Sequence, residues 1–321
     1  MIDRFVIPVY NLNLEIEYKI NSVIDNMEYN ISLKTYTPSK INPDYINEED
    51  LKETFKYGSE NSIKSYYEVF QDEKVFIHNY TKTVLIIDIT SKIETIKYYN
   101  LFKAIVNALN LTIENGIAYY EYFTFSQGYS YTKLNGTNSL PSYPQIFSPM
   151  NKEIFLENSF SLNSLDIIIQ QIYNLDLKEN QYSRIITLSL DYLQLSRRTE
   201  KIEQSFLILM ITIEAMFKES ENEKLYEKMI YLARLLSNNE IECNKILYKF
   251  KQVDKKQNKN EYFIGIRNTI AHGKESLERE EMKENVIDLY AYVRRCILAI
   301  IEIDAKSPLE DYYNDLFKQL Q

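Results

Sequence analysis

The stretch Phe206–Phe217, FLILMITIEAMF, carries a single charge, Glu214. Apolar side chains surround it almost completely. A helix built on it, Lys201–Lys218, has no broad face suited to water and belongs in the centre of a helical bundle. Outward from this segment the helical period continues. Leu162–Leu175, Gln181–Leu195, Glu223–Leu236, Glu240–Val253, Glu261–Ala271 and Glu280–Ile303 all repeat apolar residues at that spacing. In the last of these, Met282, Val286, Leu289, Val293, Ile297 and Ile300 form one stripe. Toward the start of the chain the pattern changes. Six of seven prolines and four of six glycines fall within the first 150 residues. Pro141, Pro144 and Pro149 cluster in LNGTNSLPSYPQIFSPMN, which reads as a loop or domain junction. Before it, Arg4–Tyr10 and Leu12–Tyr18 read as short strands, and Thr83–Ile89 as a buried β-branched strand. Ile93–Leu109 has helical spacing. Asn115-Gly116, between LTIE and IAYYEYFTF, signals a type I′ hairpin. The expected fold class is α+β: a mixed α/β domain over residues 1–150, then an all-α helical bundle over residues 151–321. The pattern contains no internal repeat.

Composition narrows the chemistry. The chain of 321 residues is 45% hydrophobic and 26% charged, with a net charge of −9. This composition is that of a folded chain, and it excludes a generally basic nucleic-acid coat, so any polyanion must meet a locally positive surface. Cys243 and Cys296 stand apart, with no CxxC pair and no Cys/His cluster, so we expect no metal, no cofactor and a reducing cytoplasmic setting. Met1 runs straight into Asp3 and Arg4 without a leader pattern, and no apolar run is long enough for a membrane span. Six glycines supply no phosphate cradle, and no nucleophile elbow is present. The 28 tyrosines, with no tryptophan, read first as compositional bias. A stacking surface for bases would need ordered, exposed rings.

Two histidines are present, His78 and His272. Nothing near His78 completes a triad. His272 closes the segment EYFIGIRNTIAHGKES, where Tyr262, Phe263, Ile266, Ile270 and Ala271 supply an apolar face with Arg267 among them. Gly273 directly after His272 is a C-cap signal. Arg267 and His272 are separated by about 140° on an ideal helix, so an uninterrupted helix splays them. A helix that ends at Gly273 leaves His272 able to swing back. Glu214 needs a partner if buried, and Arg267 is the candidate. The plain alternative is structural: an arginine neutralising a core glutamate and a histidine capping a helix.

The string Arg267-Asn268-Thr269-Ile270-Ala271-His272 resembles the Arg-(four to six residues)-His motif of the HEPN family of helical ribonucleases, and Asn268 fits the polar position after the arginine. The helix ending IEAMF, with Glu214, is similar to the one preceding the motif helix in the Apea-like HEPN group, a branch associated with defence against phage. The resemblance covers about residues 180–305. Lys274 stands where some members carry a tyrosine, which argues against pairing with a nucleotidyltransferase antitoxin. The resemblance implies a homodimer joined through the bundle and metal-independent RNA cleavage, with Arg267 and His272 catalytic and Asn268 and Glu214 supporting. It also implies a toxin or antiviral effector, with the first domain as a sensor or restraint for a phage-derived trigger or regulatory partner.

The chemistry of these residue types agrees. RNA carries its own nucleophile, the 2′-hydroxyl, and imidazoles titrate near about 6.5, which suits proton transfer at neutral pH. A guanidinium fork matches phosphate oxygens. Lys245, Lys249, Lys251, Lys255, Lys256 and Lys259 precede the motif helix with Asp254 as the only acid among them. Of these, Lys251, Lys255, Lys256 and Lys259 are the expected RNA-binding residues. Glu275–Glu284 is acidic, so RNA is expected to approach from the lysine side. Two other functions compete: a non-catalytic helical interaction module, and a metal nuclease in the first domain using Asp88.

Overall fold

Alternation at the sheet edge and continuous burial at its centre set the first half of the chain. The computed structural model describes residues 2–9, 17–35, 48–54, 83–91, 96–113, 117, 121–126, 129–134, 162–177, 181–199, 201–217, 225–250, 262–273 and 278–304. The chain divides into two compact units, Met1–Ser142 with Phe147–Gln170, and Tyr143–Ile146 with Gln171–Gln321. Its class is α+β, with strands early and helices late.

The first unit holds β1 (Ile2–Val9), β2 (Tyr18–Ile24), β3 (Met27–Thr35), α1 (Glu48–Thr54), β4 (Thr83–Ser91), α2 (Ile96–Thr112), β5 (Glu121–Ser126) and β6 (Tyr129–Leu134). The strands form one antiparallel sheet in the order β2-β3-β4-β1-β5-β6. In β3 the residues Met27, Tyr29, Ile31 and Leu33 are buried while Glu28 and Asn30 face water, the signature of a one-sided strand. Central β4 is buried from Val84 through Ile87, which explains its unbroken apolar run. Phe5 of β1 stacks on Phe102 of α2 at 4.5 Å, fixing the helix on one face. On the opposite face Arg4 and Asp88, register partners in β1 and β4, make a two-pronged ion pair at 2.5 Å. The Arg4 guanidinium also donates to the carbonyls of Glu53 and Thr54 at the end of α1, at 2.9 and 3.1 Å.

One reading from the sequence is corrected. Leu111 and Thr112, read as part of a strand before the Asn115-Gly116 turn, belong to the last turn of α2, and the turn itself lies outside the described residues. Leu111 and Ile113 are buried there, and the Asn110 side chain accepts from the backbone N–H of Ile117 at 2.9 Å. Burial of that face outweighs the strand reading of LTIE. The unanticipated hairpin is β2–β3, where Asp25 and Asn26 both have positive φ, 48° and 62°. Asp-Asn supplies the left-handed pair that Asn-Gly more often marks. Of the Leu12–Tyr18 reading, all but the last two residues lie outside the described ones, as does the proline-bearing junction at 135–151.

Helix α3 (Leu162–Leu177) enters the first unit through its opening turns. There Asp166 accepts a short hydrogen bond from the buried Tyr29 phenol and another from Gln170 at 3.2 Å. Burial, and then the Asp166 carboxylate, push the Tyr29 phenol well above its ordinary 10.0. A raised phenol adds stability that is complete below about pH 10 and fades as pH climbs toward the folded value. We expect the stability gap between the native chain and Tyr29→Phe, read by urea unfolding, to be about 1–3 kcal/mol at pH 8. It should shrink above pH 10. A gap that does not change above pH 10 would show that folding does not raise the phenol, and no gap at pH 8 would show that the bond contributes nothing.

The second unit is helical: α4 (Gln181–Arg198), α5 (Ile202–Met216), α6 (Leu225–Leu236), α7 (Glu240–Lys249), α8 (Phe263–Ala271) and α9 (Arg279–Asp304), with the rest of α3. Helix α5 packs against α4, α6, α8 and α9 and buries Phe206, Leu209, Met210, Ile213 and Met216. It is central, yet not wholly enclosed. Ile211 is 46% exposed, and Leu207 and Ile208 are half-buried. The α9 stripe is buried from Met282 to Ile300 as its spacing predicts. Phe263 meets Phe206 and Phe250 edge to face at 5.8 and 4.9 Å, tying α8 to α5 and to the end of α7. No helix among the described residues is long and apolar enough to cross a membrane.

Candidate functional site: the Arg267–Glu214 pair and the helix cap at His272

The short helix α8 is held by its first turns. Tyr262, Phe263, Ile264 and Ile266 are buried; Ile270 is only half-buried and Ala271 is exposed, so the apolar face is shorter than the sequence suggests. That leaves the second half of α8 at the surface, and the polar residues of the motif lie there.

Arg267 reaches α5. Its Nη2 donates to Glu214 Oε1 at 3.3 Å and its Nη1 to Asn268 Oδ1 at 3.3 Å. The Arg267 and Glu214 side chains are 34% and 29% exposed, so the pair is a partly wetted one whose energetic worth is modest. The guanidinium has five N–H groups, and these bonds use two of them among the described residues. The fork is oriented and still open to solvent. The expected partnership of Glu214 and Arg267 therefore forms.

Glu214 is gripped a second time. Its backbone carbonyl, in the last turn of α5, accepts from the Lys228 ammonium of α6 at 3.1 Å. Such carbonyls have no intrahelical partner, and a cation there also matches the helix dipole. Lys228 is buried, and nothing in the spacing of α6 distinguishes it from a surface lysine. A second buried cation of this unit, Arg197 of α4, lies over the Tyr290 ring of α9 with 5.5 Å to the centroid.

His272 is the C-cap of α8 and is exposed. Its backbone N–H donates to Asn268 O at 3.1 Å, and Gly273 N–H to Ile270 O at 3.0 Å. Gly273 has φ +62°, the left-handed residue that ends the helix as its position in the sequence predicts. An added Cβ at Gly273 meets nothing within 4 Å. Gly273→Ala should therefore cost about 1 kcal/mol through backbone strain alone. We expect a small fall in melting temperature, and a change in any activity larger than that in stability would mark the cap as important for aiming His272.

The Lys251, Lys255, Lys256 and Lys259 side chains lie outside the described residues. Of the flanking lysines, Lys245 is exposed, and Lys249 pairs with Asp288 of α9 at 3.1 Å. In the first unit Asp88 has both carboxylate oxygens on Arg4, which removes the free carboxylate that a metal nuclease there required. Among the described residues no three His, Cys, Asp or Glu side chains gather as metal ligands. Compared with family models, curated proteins and solved structures, the chain matches none.

Proposed function

We propose that the second unit is a HEPN-like domain that cleaves RNA without a metal, working as a phage-defence or toxin effector under the control of the first unit. The observation that carries this reading is the motif helix itself. Arg267 is oriented by Glu214 yet still reaches solvent, and the exposed His272 caps the same helix five residues on. In the reaction His272 takes the proton of the 2′-hydroxyl, whose oxygen attacks the adjacent phosphorus. Arg267 donates to the phosphate oxygens as charge develops on them. The bond to the 5′-oxygen breaks, leaving a 2′,3′-cyclic phosphate and a 5′-hydroxyl. The leaving oxygen needs a proton. The motif holds one histidine per chain, which does not supply it, so a second copy contributes another His272 across a two-fold axis.

Incubating the full chain with RNA, with and without chelator, tests the proposal. Chelator-resistant cleavage that leaves cyclic phosphate ends and depends on His272 is expected. Cleavage abolished by chelator, or ends bearing a 5′-phosphate, would overturn it. The second reading, a non-catalytic interaction module, is favoured by the Arg267–Glu214 bond, which a purely structural arginine would also make. It predicts no cleavage in either condition.

A further inference from the structure

We infer that Tyr248 is a stacking platform for a base of single-stranded RNA; its choice of ligand rests on the nuclease reading above. Tyr248 is 60% exposed near the end of α7. An exposed tyrosine ordinarily swings freely, and this one is held. Tyr262, buried at the N-cap of α8, meets its ring edge to face at 5.4 Å, and the Tyr262 hydroxyl donates to the Tyr248 hydroxyl at 3.2 Å. The backbone beneath is fixed at both ends. Asn239 caps α7 by accepting from Glu242 N–H at 2.9 Å. At the other end the fully buried Phe250 is wedged between Phe263 and Tyr292. The structure thus provides an ordered, exposed ring, which is what base stacking requires.

The charge around the ring favours a phosphate chain. Ile241, Asn244, Lys245 and Tyr248 follow the i, i+3, i+4, i+7 spacing and are all exposed, so they form one outward stripe of α7. Lys245 stands one turn from the ring, and Lys249 beside it shares its charge with Asp288. The acids Glu240 and Glu242 lie at the opposite end of α7, and Glu242 is engaged by Asn238 N–H at 3.0 Å. The cationic end of the helix therefore coincides with the held ring. Tyr262 also starts α8, and Arg267 lies about 7.5 Å further along that helix. A strand stacked on Tyr248 has the motif within a short reach.

The test is equilibrium binding of a fluorescent single-stranded oligoribonucleotide to the full chain in the His272→Ala background, where cleavage is slowed. Tyr248→Ala should weaken binding by about 5- to 100-fold with an unchanged salt slope, because a ring and no charge is lost. Tyr248→Phe should bind as the parent does. Tyr248→Leu, which keeps an apolar contact for Tyr262, should bind as weakly as Tyr248→Ala and guards against a misfolded alanine variant. Lys245→Ala should lower the salt slope by about 1. Equal binding by Tyr248→Ala and its parent, a Phe variant as weak as the Ala variant, or no RNA binding at all would overturn the platform. Cleavage by the native chain that survives a Tyr248-independent affinity sinks the platform alone. Binding that depends on Tyr248, in a native chain that cleaves nothing, sinks the nuclease reading alone.

Discussion

Replacing His272 by alanine should slow RNA cleavage by about 10²- to 10⁴-fold, the range for losing a positioned proton-transfer group. Stability should stay within about 0.5 kcal/mol of the native chain, because His272 is an exposed cap whose structural bond is made by its backbone N–H. The separation of the two readouts gives the experiment its force. Arg267→Ala should lose cleavage comparably, with a further small cost from leaving Glu214 without its partner. Glu214→Gln keeps an acceptor for the guanidinium, so it should retain more activity than Glu214→Ala. The composite site has its own test. Adding inactive His272→Ala chains to native ones should depress cleavage beyond simple dilution, since mixed pairs hold one histidine instead of two. Purely proportional dilution would argue for a site complete within one chain. If His272→Ala cleaves as well as the native protein, the imidazole has no part in the reaction.

The other large effect belongs to the first unit. Asp88→Ala should destabilise it by about 3–5 kcal/mol, the usual result of removing one partner of a buried ion pair. Arg4 is 5% exposed, and without Asp88 its buried charge loses both oxygens of that carboxylate. At a size of about 150–250 residues this corresponds to a fall of roughly 6–20 °C in melting temperature. The double change Arg4→Met with Asp88→Leu should recover much of the loss, because paired apolar replacements avoid the stranded charge. Urea unfolding monitored on the strand signal reads this directly. An Asp88→Ala protein as stable as the native chain would mean that the pair is compensated by water. A selective loss of RNA cleavage at unchanged stability would instead bring back a catalytic role for Asp88.

Much of the helical half is legible in the sequence because its period is long and its core positions repeat. The stripe from Met282 to Ile300 and the cap at Gly273 emerge as read. The first half is harder. The hairpin at Asp25-Asn26 lies between strands with polar outward residues, so alternation there is easily taken for loop. The strand read at Leu111-Thr112 is overridden by burial of Leu111 and Ile113 at the end of α2. Strand order was not derivable, since antiparallel pairing across long intervals leaves no local trace. At the candidate site, the partnership of Glu214 and Arg267 could be suspected from a charge in an apolar helix. The Lys228 contact could not, because it is made to a backbone carbonyl. The Tyr248–Tyr262 pair was hidden among the 28 tyrosines of the chain.

The strand order has a consequence for biogenesis. β1 occupies an interior lane, flanked by β4 and β5, and Arg4 waits for a residue 84 positions later and for a register mate at Phe125. During translation β1 thus has no sheet neighbour among the described residues until β4 has left the ribosome, with Asp88 84 positions beyond Arg4, and it lacks its second until β5 follows. In the bundle downstream α4 and α5 are consecutive and can pair at once. We expect the sheet to be the slow, chaperone-dependent step in the maturation of this chain.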